Sequence, residues 1–87
     1  MKSFETLFAE LTEKASASPE ISNTAKLVES GVHAIGKKIV EEAAEVWMAC
    51  EFQTREQAAE EIAQLIYHLQ VMMVTKGITL EEVENYL

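Results

Sequence analysis

From Val32 to Gly77 apolar residues recur at helical spacing with a single interruption, and this pattern constrains the fold more than any other feature. Between Val32 and Phe52 the set Ile35, Ile39, Val40, Ala43, Val46, Trp47, Met48 and Cys50 covers more than one side of a helix. That breadth predicts a central helix packed between several others. Thr54 followed by Gln57 forms a capping box, and beyond it Ala58, Ile62, Leu65, Ile66, Leu69, Met72 and Met73 trace a second long helix that Gly77 is placed to stop. Two long helices joined by so short an interruption are expected to lie antiparallel.

The flanks follow the same logic. Ser3 can cap a first helix carrying Phe4, Leu7, Phe8 and Leu11, and the polar run from Ser16 through Pro19 to Asn23 ends it. Helical periodicity resumes from Thr24 with Leu27 and Val28, and either Gly31 or Gly36 can mark a break. Thr79 with Glu82 repeats the capping device ahead of a short last helix bearing Leu80, Val83 and Leu87. No strand pattern or internal repeat is present. The expected fold class is all-α, a small bundle of four to five helices forming one domain over residues 1–87. A chain of 87 residues buries a small share of its surface, so a partner subunit is expected to complete it.

Fifteen acidic against seven basic residues give a formal charge of −8, which argues against a nucleic-acid polymer as the main partner. An anionic ligand would need a divalent cation as intermediary. The lone Cys50 rules out an intramolecular disulfide and leaves no Cys/His cluster for structural zinc, and it is expected to be packed and inert among Ile39, Ala43 and Val46. No apolar run approaches the roughly 20 residues of a membrane span. A soluble, cytoplasmic protein without signal peptide or anchor is therefore expected.

The chemistry concentrates on the two long helices. At roughly 100° per residue, Glu41, Glu42 and Glu45 gather on one sector together with Lys38. Apolar residues flank that sector, Ile35, Ile39 and Val46 on one side and Met48 and Phe52 on the other. Like charges at these spacings repel unless a cation sits between them, and a hard divalent metal answers that need. On the second helix Glu61, Gln64 and His68 follow one another at spacings of three and four, so antiparallel pairing would bring both sets together. A Glu-Glu-x-x-Glu run alone is common on solvated helices. His68 and His33, each taken alone, more often lie at a surface or core edge than on a metal, and Tyr67, Met72 and Met73 read most simply as packing residues. Leu65 and Ser30, three residues before the two histidines, exclude the Glu-x-x-His spacing of ferritin-like di-iron sites. No glycine-rich phosphate loop is present.

Three segments taken together are more specific than any one alone. Ser22-Asn23-Thr24-Ala25-Lys26-Leu27, then Gly36-Lys37-Lys38-Ile39-Val40-Glu41-Glu42-Ala43-Ala44-Glu45, then Glu61-Ile62-Ala63-Gln64-Leu65-Ile66-Tyr67-His68-Leu69 resemble the phosphoribosyl-ATP pyrophosphatase family of histidine biosynthesis. That family carries a Ser-Tyr-Thr-like segment, a Lys-Lys-x-x-Glu-Glu-x-x-Glu helix and a Glu-x-x-Asp-Leu-Leu-Tyr-His helix in this order, and the likeness spans nearly the whole chain. It departs at Gln64, where the family usually has Asp, and at Asn23, which replaces the usual aromatic.

The resemblance implies a MazG-like helical fold completed by homodimerisation, a site between helices near the dimer interface, and Mg²⁺-dependent hydrolysis of phosphoribosyl-ATP to phosphoribosyl-AMP and pyrophosphate. On this reading Glu41, Glu42, Glu45 and Glu61, with Gln64 in support, hold Mg²⁺, and Glu42 or Glu45 serves as general base. Lys38, Lys37 and Lys26 neutralise phosphate charge, while Thr24 and His68 contact the substrate, although Thr24 could equally cap the second helix. The cyclohydrolase often fused to this family needs further length and a zinc site, so a monofunctional chain is expected. The alternatives are a MazG-like house-cleaning pyrophosphatase of non-standard nucleoside triphosphates and a non-catalytic helical association module.

Overall fold

The computed structural model describes residues 1–87 as five α-helices without a strand: α1 (Phe4–Lys14), α2 (Asn23–Ser30), α3 (Val32–Phe52), α4 (Arg55–Lys76) and α5 (Leu80–Glu84). The expected all-α bundle is what the chain forms. Each boundary has a local cause. Ser3 Oγ accepts from Thr6 N at 3.1 Å and starts α1. Ser22, not Thr24, caps α2, accepting from Ala25 N at 3.1 Å while donating to the Lys14 carbonyl at 3.2 Å. That second bond pins the end of α1 to the start of α2.

Of the two glycines between α2 and α3, Gly31 makes the break, because its φ of 91° lies where side chains other than glycine's are strained. Gly36 lies within α3 and interrupts nothing. Only Gln53 and Thr54 separate α3 from α4, and Thr54 closes a reciprocal capping box with Gln57 through bonds of 3.1 and 3.2 Å. The long helices therefore fold back on each other as a hairpin, which is the dominant packing of the molecule. At its far end Gly77 is left-handed at φ 69°, with Ile78 N bonded to the Met73 carbonyl at 2.9 Å in a Schellman arrangement.

The core is small. Leu11 of α1, Ile35 of α3 and Val71 of α4 are fully buried, and Leu7, Leu27, Val28, Ile39, Tyr67, Met72 and Val74 pack around them. Each of α1 to α4 thus contributes to one cluster, and burying a side chain of this size stabilises by about 1.5–3 kcal/mol. Against this stands a broad unpartnered apolar surface. Val40, Trp47, Met48 and Phe52 of α3 are exposed, as are Ile62 and Leu69 of α4.

Two expectations are corrected by this distribution. Within the single chain α3 is not surrounded: Ile35, Ile39 and Val46 face inward, whereas Met48 and Phe52 on the opposite flank face outward. Cys50 is exposed rather than packed, because it falls on that outer side next to Trp47 and Glu51, which are joined by an indole-to-carboxylate hydrogen bond of 2.5 Å.

Candidate metal centre

The hairpin assembles the site. Glu42 and Glu45 stand one turn apart on α3, and the folding-back of α4 places Glu61 opposite them. One carboxylate oxygen from each lies within 4.8 Å of the others. Glu42 and Glu61 are half-buried and Glu45 is exposed, so the cluster opens to solvent on one side.

Its electrostatics are strained. Burial pushes the Glu42 carboxyl above its usual range, and a hydrogen bond to Glu45, the charge of Glu45 and that of Glu61 push it the same way, while His68 pulls it down. Burial also raises Glu61, followed by the charge of Glu45, a hydrogen bond with it, and the charge of Glu60. The chain's ion pairs, Lys2–Glu10, Lys14–Glu10 and Lys38–Glu41, leave all three cluster carboxylates without a counter-charge. Three converging oxygens with no cationic side chain among them suit a hard divalent cation, which takes oxygen ligands.

The remaining residues singled out from sequence divide by position. Glu41 is exposed and lies 3.7 Å from Lys38, outside the cluster of three. Gln64 is exposed one turn beyond Glu61, and its backbone carbonyl lies 2.8 Å from His68 Nδ1. A carbonyl only accepts, so Nδ1 carries a proton and donates it in this bond. His68 is buried, and its charge reaches Glu42. Lys26 and Lys37 are exposed. Thr24 is buried on α2, where its hydroxyl meets the Tyr67 hydroxyl at 2.9 Å.

Sequence reasoning missed that pairing, since nothing in the spacing of Thr24 and Tyr67 announces it. It also missed Glu10, which Lys2 and Lys14 grip at 2.7 and 2.8 Å and whose carboxyl they hold down at about 2. The Glu10–Lys14 spacing was a usable signal, but the approach of Lys2 was not.

Fold and site together define a class: small all-α proteins in which a helical hairpin gathers carboxylates whose oxygens could hold a hard cation. The family profile described as phosphoribosyl-ATP pyrophosphohydrolase matches residues 1–87. The chain is 61% identical over 87 residues to a protein named phosphoribosyl-ATP pyrophosphatase from Streptomyces coelicolor, covering 99% of this chain and 97% of that one. A protein of the same name from Streptomyces avermitilis is equally similar, at 61% over 87 residues with the same coverage of both chains. The chain belongs to the phosphoribosyl-ATP pyrophosphohydrolase family.

Proposed function

We propose that this chain hydrolyses phosphoribosyl-ATP to phosphoribosyl-AMP and pyrophosphate, the second step of L-histidine biosynthesis, as a single-domain cytoplasmic homodimer dependent on Mg²⁺. The observation that carries the reading is the convergence of Glu42, Glu45 and Glu61 within 4.8 Å in a member of this family. Those three residues hold Mg²⁺, with Glu41 and the Gln64 amide oxygen contributing directly or through coordinated water. When bound, the metal supplies charge neutralisation of the triphosphate oxygens and a lowered pKa for the attacking water.

The chain's own groups do the rest. Glu42 or Glu45 takes the proton from water as its oxygen adds to phosphorus, the bond between the α and β phosphates breaks, and the bridging oxygen leaves with the departing group. His68 is oriented by its Nδ1 bond to the Gln64 carbonyl, which leaves Nε2 available to the substrate. Lys37, Lys38 and Lys26 act as point cations towards phosphate, and Thr24 sits close to the substrate's sugar-phosphate end. The apolar surface of Val40, Trp47, Met48, Phe52, Ile62 and Leu69 supports dimerisation, because a chain with so small a core gains by covering it.

The test is pyrophosphate release from phosphoribosyl-ATP with Mg²⁺, with excess chelator, and by the Glu42→Gln variant. Turnover that disappears in both arms is expected. A well-folded protein that ignores this substrate but cleaves ordinary or modified nucleoside triphosphates would transfer the reading to a house-cleaning pyrophosphatase.

A further inference from the structure

The carboxylate cluster is built by α3 and α4, yet one of the groups acting on it is steered from α2. His68 of α4 is only 7% exposed, and its Nδ1 donates to the Gln64 carbonyl one turn back at 2.8 Å. That bond turns the ring so that Nε2 is the nitrogen left for the site. At Glu42, burial, Glu45 and Glu61 push the carboxyl up and His68 alone pulls it down, so the imidazole lies within electrostatic reach of the cluster.

One bond to a backbone carbonyl leaves a ring free to pivot about it, and the second constraint is Tyr67. Consecutive residues on a helix point about 100° apart and do not ordinarily face each other. The Tyr67 and His68 rings nevertheless meet edge-to-face, with centroids 5.0 Å apart and planes at 90°. Each is bent to that contact by a group outside the pair: His68 by Gln64, and Tyr67 by Thr24 of α2, whose hydroxyl lies 2.9 Å from the phenol oxygen. Thr12 and Thr75 spend their hydroxyls on the carbonyl one turn back, at 2.8 Å each. Thr24 stands at the start of its helix, is buried, and gives its hydroxyl to Tyr67 instead. Tyr67 also packs against the core of Leu11, Ile35 and Val71. A ring wedged against a core and bonded at its tip forms a fixed wall for the imidazole beside it.

We propose that Tyr67, tethered by Thr24, is a positioning residue for the hydrolysis: it holds the His68 imidazole in one orientation beside the carboxylate cluster, and so ties the working geometry of the α3–α4 hairpin to the docking of α2. The role rests on the function proposed above. Tyr67 acts through His68 and not on the reacting atoms. Loss of the phenol oxygen removes the tether, the ring wall loosens, and the imidazole gains other orientations in which Nε2 no longer faces the site. The helix that contributes no carboxylate to the cluster thereby sets how well the cluster works.

The experiment compares wild type, Tyr67→Phe, Thr24→Val and the conservative Thr24→Ser, each alone and combined with His68→Gln, at a temperature where every variant is folded by circular dichroism. In ¹⁵N-labelled protein the Nδ1–H resonance of His68 reports the ring directly. That proton is expected to exchange slowly in wild type and Thr24→Ser, and about tenfold faster or more in Tyr67→Phe and Thr24→Val. Hydrolysis of phosphoribosyl-ATP is expected to lose about tenfold or more in kcat/KM in those two variants, and less than about twofold when His68→Gln is already present. A role in stability alone would lower the melting temperature equally in both backgrounds and leave kcat/KM of the folded enzyme unmoved. An unchanged His68 exchange rate in Tyr67→Phe, or equal losses of kcat/KM with and without His68, would overturn the proposal. Wild-type protein that leaves phosphoribosyl-ATP intact would refute the enzymatic reading alone, since the ring resonance still decides whether Tyr67 and Thr24 hold His68.

Discussion

Thr24 on α2 and Tyr67 on α4, 43 residues apart in the chain, join their hydroxyls at 2.9 Å, the one side-chain to side-chain hydrogen bond between those helices. The pair ties a short helix to the longest one at the edge of the core. Tyr67→Phe leaves the buried Thr24 hydroxyl without its partner and is expected to destabilise by about 1–2 kcal/mol. Adding Thr24→Val removes the stranded group, so the double variant should be less destabilised than the sum of the two singles. Urea unfolding of the three variants measures this, and strictly additive losses would show that the bond contributes nothing.

Glu42→Gln relieves repulsion in the carboxylate cluster and should make the metal-free protein melt higher than wild type. The same change should shrink the rise in melting temperature caused by Mg²⁺, which for wild type at about one hundred times Kd corresponds to about 2.7 kcal/mol. Activity should fall about a hundredfold or more, as for loss of a general base or a metal ligand. Thermal melts with and without chelator read the first two effects, and pyrophosphate release reads the third.

The acid limb of stability has two opposing contributions. A carboxyl whose pKa is raised on folding lends stability below its ordinary value of 4.5 and loses it as pH rises through the raised value. Glu42 and Glu61, pushed up by burial and by Glu45, behave this way, with His68 partly offsetting the effect at Glu42. Glu10, held down at about 2 by Lys14 and Lys2, does the reverse: its contribution is present above 4.5 and disappears as pH falls through about 2. Metal-free protein should therefore weaken as pH climbs above 4.5, and saturating Mg²⁺ should abolish that weakening. Equilibrium unfolding at a series of pH values, with and without the metal, checks both signs.

Gly77→Ala forces a side chain into the left-handed cap of α4 and should destabilise by about 1 kcal/mol. Gly36→Ala, inside α3 with no atom within 4 Å of the added carbon, should instead stabilise by about 0.5–1 kcal/mol. Differential scanning calorimetry on the two variants separates the two uses of glycine.

Trp47, 68% exposed in the single chain, reports on the proposed dimer. Its emission should be blue-shifted at micromolar protein and move red on dilution, and Trp47→Lys should shift sedimentation towards the single chain. Red emission at every concentration, with a monomer in the ultracentrifuge, would leave the apolar side of α3 without a self-partner.

Much of the fold was legible because its boundaries are written locally. Ser3, Thr54 with Gln57, Gly77 and Thr79 with Glu82 each act over a few residues, and each forms the cap its spacing predicts. The α2 boundary was harder: Ser22 and Thr24 are both competent caps, and the choice depends on the bond from Ser22 to Lys14 and on Tyr67 engaging Thr24, neither visible in the local chain. Glu42 and Glu45 could be placed together by helical spacing and Glu61 opposite them by hairpin logic. The choice of Glu42 over Glu41 could not be made on spacing alone, since Glu41 is as good a neighbour of Glu45, although the three-residue spacing of Lys38 and Glu41 allowed their pairing. Periodicity also misjudged the surroundings of α3 and the exposure of Cys50, because an apolar side chain declares a preference for burial without saying whose surface buries it.

All three cluster carboxylates belong to one hairpin whose turn, at Gln53 and Thr54, is as short as such a turn can well be. Closing it demands little loop entropy, so the hairpin is a natural early event on the folding path, and the repulsion among Glu42, Glu45 and Glu61 arises with it. A divalent ion would then act on the barrier as well as on the final state. Mg²⁺ should speed refolding, and not merely slow unfolding, making the metal a participant in the kinetics by which the chain reaches its native form.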